Sequence, residues 1–297
     1  NDRYDDERNR RNFRNDIYDS SAKQKEEKQM KSAEKEQELK RIITEHGKVA
    51  VAFSSGVDST LLLKECADTL GAENVVAITA CSLAFPKREQ RESTEFCKSE
   101  GIKQICFDIN PLEIPSFCTN PPDRCYICKK AIFTEICRIA EEQKCDCVFE
   151  GSNLDDDNDY RPGMRAIQEL SVISPLRKAE LTKAEIRLLS EKLKLKTASK
   201  PSFACLATRL EYGDTITKEK LKMIDRAEQM LIDLGIKQVR VRLHGKTARI
   251  EVEREQMQAV LDNADKITTA FQSYGFDYTA LDLNGYKTGN MNKSIQQ

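Results

Sequence analysis

Four stretches of this sequence carry residue types able to do chemistry together. The first is Ser54-Ser55-Gly56-Val57-Asp58-Ser59, between the apolar run Val49–Phe53 and a segment of helical character. A small-residue turn between a strand and a helix presents backbone N–H groups at the positive end of the helix, which makes an anion site. Ser54, Ser55 and Ser59 add hydroxyls, and Gly56 permits close backbone approach. No Gly-Lys-Ser/Thr follows, and the glycines are not spaced as in dinucleotide loops. A serine-rich turn with an Asp-Ser helix cap is the plain alternative. The second stretch is Gly151-Ser152-Asn153-Leu154-Asp155-Asp156-Asp157-Asn158-Asp159-Tyr160-Arg161-Pro162-Gly163, just beyond a short apolar run. Its carboxylates suit Mg²⁺, and Arg161 suits a phosphate or carboxylate; a polar surface loop would read the same way.

The third stretch, Lys200-Pro201-Ser202-Phe203-Ala204-Cys205-Leu206-Ala207-Thr208-Arg209, places a cysteine among small residues near an arginine. That setting favours a low-pKa thiol, with a buried inert cysteine as the alternative. The fourth, Arg124-Cys125-Tyr126-Ile127-Cys128-Lys129, is a Cys-x-x-Cys pair at the start of a helical segment. Such a pair ligates a metal centre, forms a redox couple or is structural. The chain has 11 cysteines, an odd number, and no apolar N-terminal segment that would read as an export signal. Disulfides are therefore not expected. Cys66, Cys97 and Cys137 fall on inner helix faces and Cys81, Cys106 and Cys147 at strands, where they read as core; Cys118 and Cys145 have no assignment. With only 2 histidines, His46 and His244, histidine-rich zinc sites and most Ser-His or Cys-His hydrolases are disfavoured.

These stretches need elements to position them. Runs at Val49–Phe53, Val75–Ala80, Ile105–Ile109 and Cys147–Glu150 read as buried strands, with Val172-Ile173 as a possible fifth. Helices are expected at Ser59–Leu70, Arg88–Gly101 and Arg124–Gln143. Short apolar strands separated by helices indicate a parallel sheet covered on both faces. From about residue 200 the pattern changes to a helix over Lys218–Gly235, a hairpin of Val239–Leu243 with Ala248–Val252, a helix over Glu255–Tyr274 and a strand over Tyr278–Leu283. The hairpin is expected to lay one face on a core. Arg240 and Arg242 then share a strand face, as do Glu251 and Glu253; exposed cross-strand ion pairs are the plain reading of these residues. The expected domains are a charged, disordered or loosely helical extension over 1–41, a sheet domain over 42–199 and a small α+β domain over 200–297.

Charge narrows the partners. The chain carries 48 basic and 49 acidic residues, so no global positive field draws it to nucleic acid. No apolar run approaches the length of a membrane span. A soluble, cytoplasmic protein is expected.

The Ser54–Ser59 loop is similar to the SGGxDS motif of the PP-loop ATP pyrophosphatases, which cleave ATP between the α and β phosphates and adenylate an acceptor. Ser55 stands where that motif has its first glycine. Together with Thr79-Ala80-Cys81-Ser82, Phe85-Pro86, the Gly151–Gly163 block and the segment around Cys205, the sequence resembles the LarE family of ATP-dependent sulfur transferases over roughly residues 38–285. The resemblance implies an adenine nucleotide alpha hydrolase-like α/β fold with a C-terminal sulfur-transfer domain, in a homo-oligomer, hexameric by the same resemblance. It implies a pyridinium-3,5-biscarboxylic acid mononucleotide substrate, the precursor of the nickel-pincer nucleotide cofactor. ATP and Mg²⁺ are expected at Ser54, Ser55, Gly56, Asp58, Ser59, Gly151, Asn153, Asp156 and Arg161, and substrate at Thr208, Arg209, Arg240 and Arg242. Glu228 and Glu251 would lie near the sulfur-donor cysteine, Cys205. Some members carry three cysteines and a 4Fe-4S cluster, for which Cys125, Cys128 and Cys205 match; the simplest members sacrifice the sulfur of the cysteine matched by Cys205. A PP-loop tRNA thiolation enzyme and a non-catalytic nucleotide-binding protein are the alternatives. The acidic loop and neutral charge balance count against the first.

Overall fold

The structure, a computed structural model, describes residues 32–158, 162–201 and 204–287. Most of the expected 1–41 extension therefore lies outside the described residues, as does Arg161. Strands β1 (Val49–Ala52), β2 (Val75–Cys81), β3 (Lys103–Asp108) and β4 (Cys147–Phe149) pair in parallel in the order β3-β2-β1-β4. β1 and β2 are apolar on both faces, as a parallel sheet covered by helices requires. Val49 and Val51 pack into one core with Val75 and Ala77, whereas Ala50 packs into the opposite one with Val76 and Ile78. Helix α2 (Val57–Leu70) belongs to the first core through Leu61, Leu62, Leu63 and Cys66. Helix α3 (Lys87–Ser99) adds Cys97 to it. Helix α4 (Arg124–Glu142) covers the second core with Ile132, Phe133, Ile136 and Ile139, beside α5 (Gly163–Glu169).

The expected fifth strand is reduced to a single parallel bridge, Phe149 to Ile173. Pro175, which has no N–H to give a ladder, instead opens the short helix α6 (Pro175–Lys178). Helix α7 (Lys183–Lys192) follows, opened by a capping box between Thr182 and Glu185. Residues 32–44 form helix α1, so the packed structure begins before the expected boundary at residue 42. Charge density hid its inner face: Leu39, Ile42 and Ile43 are buried at helical spacing, while Lys35 pairs with Glu185 and Glu36 with Lys192. Among the described residues no helix is long and apolar enough to cross a membrane.

The second unit is built on helix α8 (Lys218–Asp233) and a sheet ordered β5-β6-β7. Strands β5 (Val239–His244) and β6 (Thr247–Val252) form the hairpin, and β7 (Tyr278–Leu281) adds to β6 in parallel. The expected single helix after the hairpin divides at Asn263 into α9 (Met257–Asp262) and α10 (Ala264–Tyr274). The Asn263 side chain donates to the carbonyl of Ala259, one of the local bonds that make Asn a helix interrupter. β7 stops short of the expected Leu283 because Asp282 accepts from the Asn284 N–H and turns the chain. Val239, Val241 and Leu243 enter the core of this unit, and that core also takes Ala84 and Phe117 from the first. The hairpin is not one-sided as expected. Arg240 and Arg242, on its other face, are only 3% and 8% exposed.

A buried ion pair fastens the Cys205 segment to this unit. Arg209 Nε lies 2.7 Å from Glu228 Oε1, which also accepts from the Val241 N–H at 3.0 Å. Burial alone would raise the Glu228 carboxyl, but Arg209, Arg240 and the Val241 N–H hold it below its ordinary value of 4.5. A depressed carboxyl contributes stability that is present above the unfolded value and lost as pH falls through the folded one. Glu228→Gln is therefore expected to cost about 3–5 kcal/mol at pH 7, since it leaves Arg209 uncompensated. Chemical denaturation of both proteins across pH checks this: the difference should persist at neutral pH and shrink below the ordinary glutamate range.

Candidate active site

The strand order reverses between β1 and β4, and ligands in open α/β sheets bind outside the carboxyl ends of strands at such a point. The Ser54–Ser59 turn leaves β1 there and Gly151 leaves β4. Helix α2 has Gly56 as its N-cap, with no side-chain cap bond, so the plain alternative of an Asp-Ser cap does not hold. Its first N–H groups are the ones an anion would take. Ser54 and Ser59 hydroxyls lie 3.1 Å apart at the mouth of the turn. Ser55 adopts φ 54°, a conformation that favours glycine. Its hydroxyl does not face the phosphate position. It donates to the Glu89 carbonyl at 2.9 Å and contacts Glu89 Oε2 at 3.0 Å, on α3. Gly151 has a steric reason: a Cβ there would lie 3.0 Å from the Ser59 nitrogen and 3.3 Å from Asp58 Cβ.

Beyond Gly151 the acidic block folds back on this loop. Asn153 Nδ2 donates to Asp58 Oδ1 at 3.2 Å. Asp156 accepts from the Asn153 N–H at 3.1 Å, and Asp155 from the Lys183 N–H at 2.7 Å. These carboxylates thus order their own turn, with Asp58 and Asp156 also bordering the cleft. Lys183 pairs with Asp58 and borders the same cleft. Sequence reasoning missed Lys183. The Thr182-x-x-Glu185 capping box was the signal that a helix N-terminus, with a lysine at its first position, stands there.

The sulfur chemistry lies across the same cleft. Cys125 and Cys128 are the second and fifth residues of α4, and Cys205 immediately precedes a 3-10 turn, Leu206–Arg209. All three border the cleft. Burial pushes the Cys128 thiol up to about 12, with Cys205 and Cys125 adding to the rise. Burial also raises Cys205, opposed by Arg124, the Ala207 N–H and Arg209. The expected low-pKa thiol at Cys205 is therefore not found: removal from water outweighs the nearby cations. Among the described residues no three His, Cys, Asp or Glu side chains are grouped as for a single metal ion. Three cysteines bordering one cleft are nonetheless the donor type that an iron–sulfur cluster takes. Arg124, unremarked in the sequence, is 1% exposed and lies between these groups, with Nη2 3.8 Å from Cys125 Sγ and Nη1 3.2 Å from the Ala207 carbonyl. The other cysteines divide. Cys66 and Cys97 are core as expected, Cys81, Cys137 and Cys147 are half-buried, and Cys106 is exposed because β3 is the sheet edge.

Thr208, Arg240 and Arg242 form a third border of the cleft. The Thr208 hydroxyl donates to the Cys205 carbonyl at 2.7 Å, and its own carbonyl accepts from Arg242 Nη1 at 2.9 Å. Arg242 Nε is 2.7 Å from Glu251 Oε1, so these buried pairs replace the exposed ones read as the plain alternative. Glu251 stands directly opposite Arg240 in the hairpin register. Burial and the neighbouring Arg209 lower Arg240 to about 10, with Glu228 opposing. Glu228, Glu251 and Arg209 lie behind the arginine surface rather than on it, and Glu253 falls outside β6 and is exposed. The cleft encloses about 1560 Å³, beyond the usual range of roughly 300–1,000 Å³ for one small ligand. It has room for two ligands side by side.

The comparisons with known proteins agree with this geometry. The NAD synthase family model matches residues 31–119, which hold the anion loop. An uncharacterized protein of Synechocystis is 38% identical over 86% of this chain and 96% of its own length. Pyridinium-3,5-bisthiocarboxylic acid mononucleotide synthase of Lactiplantibacillus plantarum is 34% identical over 84% of this chain and 90% of its own. An uncharacterized protein of Methanocaldococcus jannaschii is 29% identical over 81% and 91%. The similarity thus spans both units, the anion loop and the Cys205 segment alike, and the chain belongs to the LarE family of PP-loop proteins, to which that synthase also belongs.

Proposed function

We propose that the protein is an ATP-dependent sulfur transferase that converts a carboxylate of pyridinium-3,5-biscarboxylic acid mononucleotide to a thiocarboxylate. One observation carries this reading: the anion loop, three cysteines and two buried arginines border a single cleft. A carboxylate resists sulfur attack because its leaving group is poor. Its oxygen attacks the α-phosphorus of ATP, the α–β bridging bond breaks, and pyrophosphate leaves. The resulting acyl adenylate is attacked at carbon by sulfur, and AMP departs with the carboxylate oxygen. In this reading the N–H groups at the start of α2, with Ser54 and Ser59, hold the phosphates. Asp58 and Asp156 are the cleft carboxylates suited to Mg²⁺. Lys183 neutralises charge on the departing pyrophosphate once it exchanges Asp58 for phosphate oxygen. Arg240 and Arg242 take the substrate's anionic groups, and Glu228 and Glu251 hold those arginines in place.

Cys125, Cys128 and Cys205 would hold a 4Fe-4S cluster with one iron free to supply terminal sulfide. Thiols release their protons when they ligate a metal centre, so binding of such a cluster would be coupled to proton release. Sacrificial donation from Cys205 is the competing route, and it predicts a protein changed by its own turnover. We assign a homo-oligomer and a cytoplasmic setting on family resemblance.

Iron and acid-labile sulfide on anaerobically purified protein decide between the two routes. The cluster reading expects about four irons per chain, lost in Cys125→Ala, and a protein of unchanged mass after turnover. Iron-free protein that forms thiocarboxylate while Cys205 loses sulfur would establish the sacrificial route. Iron-free protein that forms no thiocarboxylate with ATP and the biscarboxylate would remove the proposal. Lys183→Met is expected to lower kcat/KM by about 100-fold, the scale of losing one preorganised electrostatic contact, with pyrophosphate release as the assay.

A further inference from the structure

Lys200 opens the segment that carries Cys205, yet its side chain reaches back to the nucleotide loop. The side chain is 11% exposed. It donates to the Ser55 carbonyl at 2.9 Å and to Glu89 Oε2 at 2.6 Å, and it also pairs with Glu92. The Ser55 hydroxyl lies 3.4 Å away and itself donates to the Glu89 carbonyl. One cation therefore joins the anion turn, the first turns of α3 and the segment leading to Cys205. The backbone of Lys200 is fixed as well, its carbonyl accepting from Arg187 Nη2 at 2.9 Å on α7. Past the cysteine, the Leu206 N–H donates to the Ala84 carbonyl at 2.9 Å.

The contact with the Ser55 carbonyl has a directional consequence. In a trans peptide the carbonyl and the following N–H point to opposite sides. The Lys200 contact fixes which way the Ser55 carbonyl points and so directs the Gly56 N–H to the other side of the same peptide; Gly56, Lys200 and Glu89 all border the cleft, whereas Ser55 does not. Ser55 stands at φ 54°, an unfavourable region for a residue with a side chain, so this peptide orientation needs outside support. Lys200 and Glu89 supply that support.

We propose that Lys200 is a positioning residue that couples phosphate binding at the anion loop to the order of the Cys205 segment. A phosphate accepted by the Gly56 N–H fixes the 55–56 peptide, which strengthens the hold of the Ser55 carbonyl on the ammonium. That in turn restrains the chain five positions before Cys205. The sulfur donor is thereby held most firmly when nucleotide is present. This inference rests on the ATP-binding reading.

Hydrogen exchange with and without Mg-ATP, read by mass spectrometry on the anaerobically purified protein, tests it together with the ATP dissociation constant. Wild type is expected to show nucleotide-dependent slowing both over 54–59 and over 200–210. Lys200→Met should weaken ATP about tenfold, the loss of a charge-assisted hydrogen bond. It should keep the slowing at 54–59 and lose it at 200–210. Glu92→Gln leaves the Ser55 contact in place and should retain both. A purely structural lysine would lower the melting temperature and leave the nucleotide dependence at 200–210 intact, which would overturn the proposal. So would loss of the coupling in Glu92→Gln. Wild type alone remains decisive if Lys200→Met does not fold, because slowing confined to 54–59 ends the inference. Absence of slowing at 54–59 in wild type would instead strike the ATP-binding reading itself.

Discussion

The divergence of the chain beyond the carboxyl ends of β1 and β4 is the constraint on which the rest of this structure depends. These strands are neighbours, and the chain leaves one into α2 and the other into the acidic turn. The crevice between the two exits is lined by backbone. It can exist only because Gly151 lets the second exit press against the first turn of α2. A side chain there would meet the Ser59 nitrogen and displace the groups suited to phosphate. Asn153, Asp58 and Lys183 then lock the two exits together through side chains. The second unit closes the crevice from above with the Cys205 segment and with the arginine face of its hairpin.

Burial explains how two chemistries share one space. Adenylation needs anion-binding groups that are not consumed by water, and sulfur transfer needs an acyl adenylate shielded from hydrolysis. Arg209, Arg240 and Arg242 are expensive residues to bury, and each has a compensating partner in Glu228 or Glu251. Glu228 acts from behind through Arg209, whose Nη1 lies 3.4 Å from the Cys205 carbonyl, and Glu251 acts through Arg242. The same burial raises the Cys128 and Cys205 thiols.

The parts legible in the sequence are those that depend on neighbours along the chain. Alternation of short apolar runs with helices identified the sheet, and the turn after Val49–Phe53 identified the anion loop. Cys-x-x-Cys spacing and the Cys205 segment suggested a sulfur site, although only the fold brings them to one wall. What escaped reading depends on partners far apart in sequence. Lys183 and Lys200 are ordinary helix and linker lysines until Asp58, Ser55 and Glu89 are placed beside them. Arg124 looked like a flank of the cysteine pair and proves to be a buried cation. The inner face of α1 was masked by charge, since Leu39, Ile42 and Ile43 are thinly spread among lysines and glutamates. Alternation of Val and Arg ordinarily means one wet face, so the hairpin reads as one-sided in the sequence, whereas here the second face borders a cleft.

The central claim is that the substrate's own carboxylate attacks ATP before sulfur arrives. Turnover with biscarboxylate substrate labelled with heavy oxygen in its carboxylates tests this most directly, with the label followed into AMP. The account predicts one labelled oxygen in each AMP released, in step with each sulfur gained by the substrate. Unlabelled AMP, or label recovered in phosphate or pyrophosphate, would contradict it.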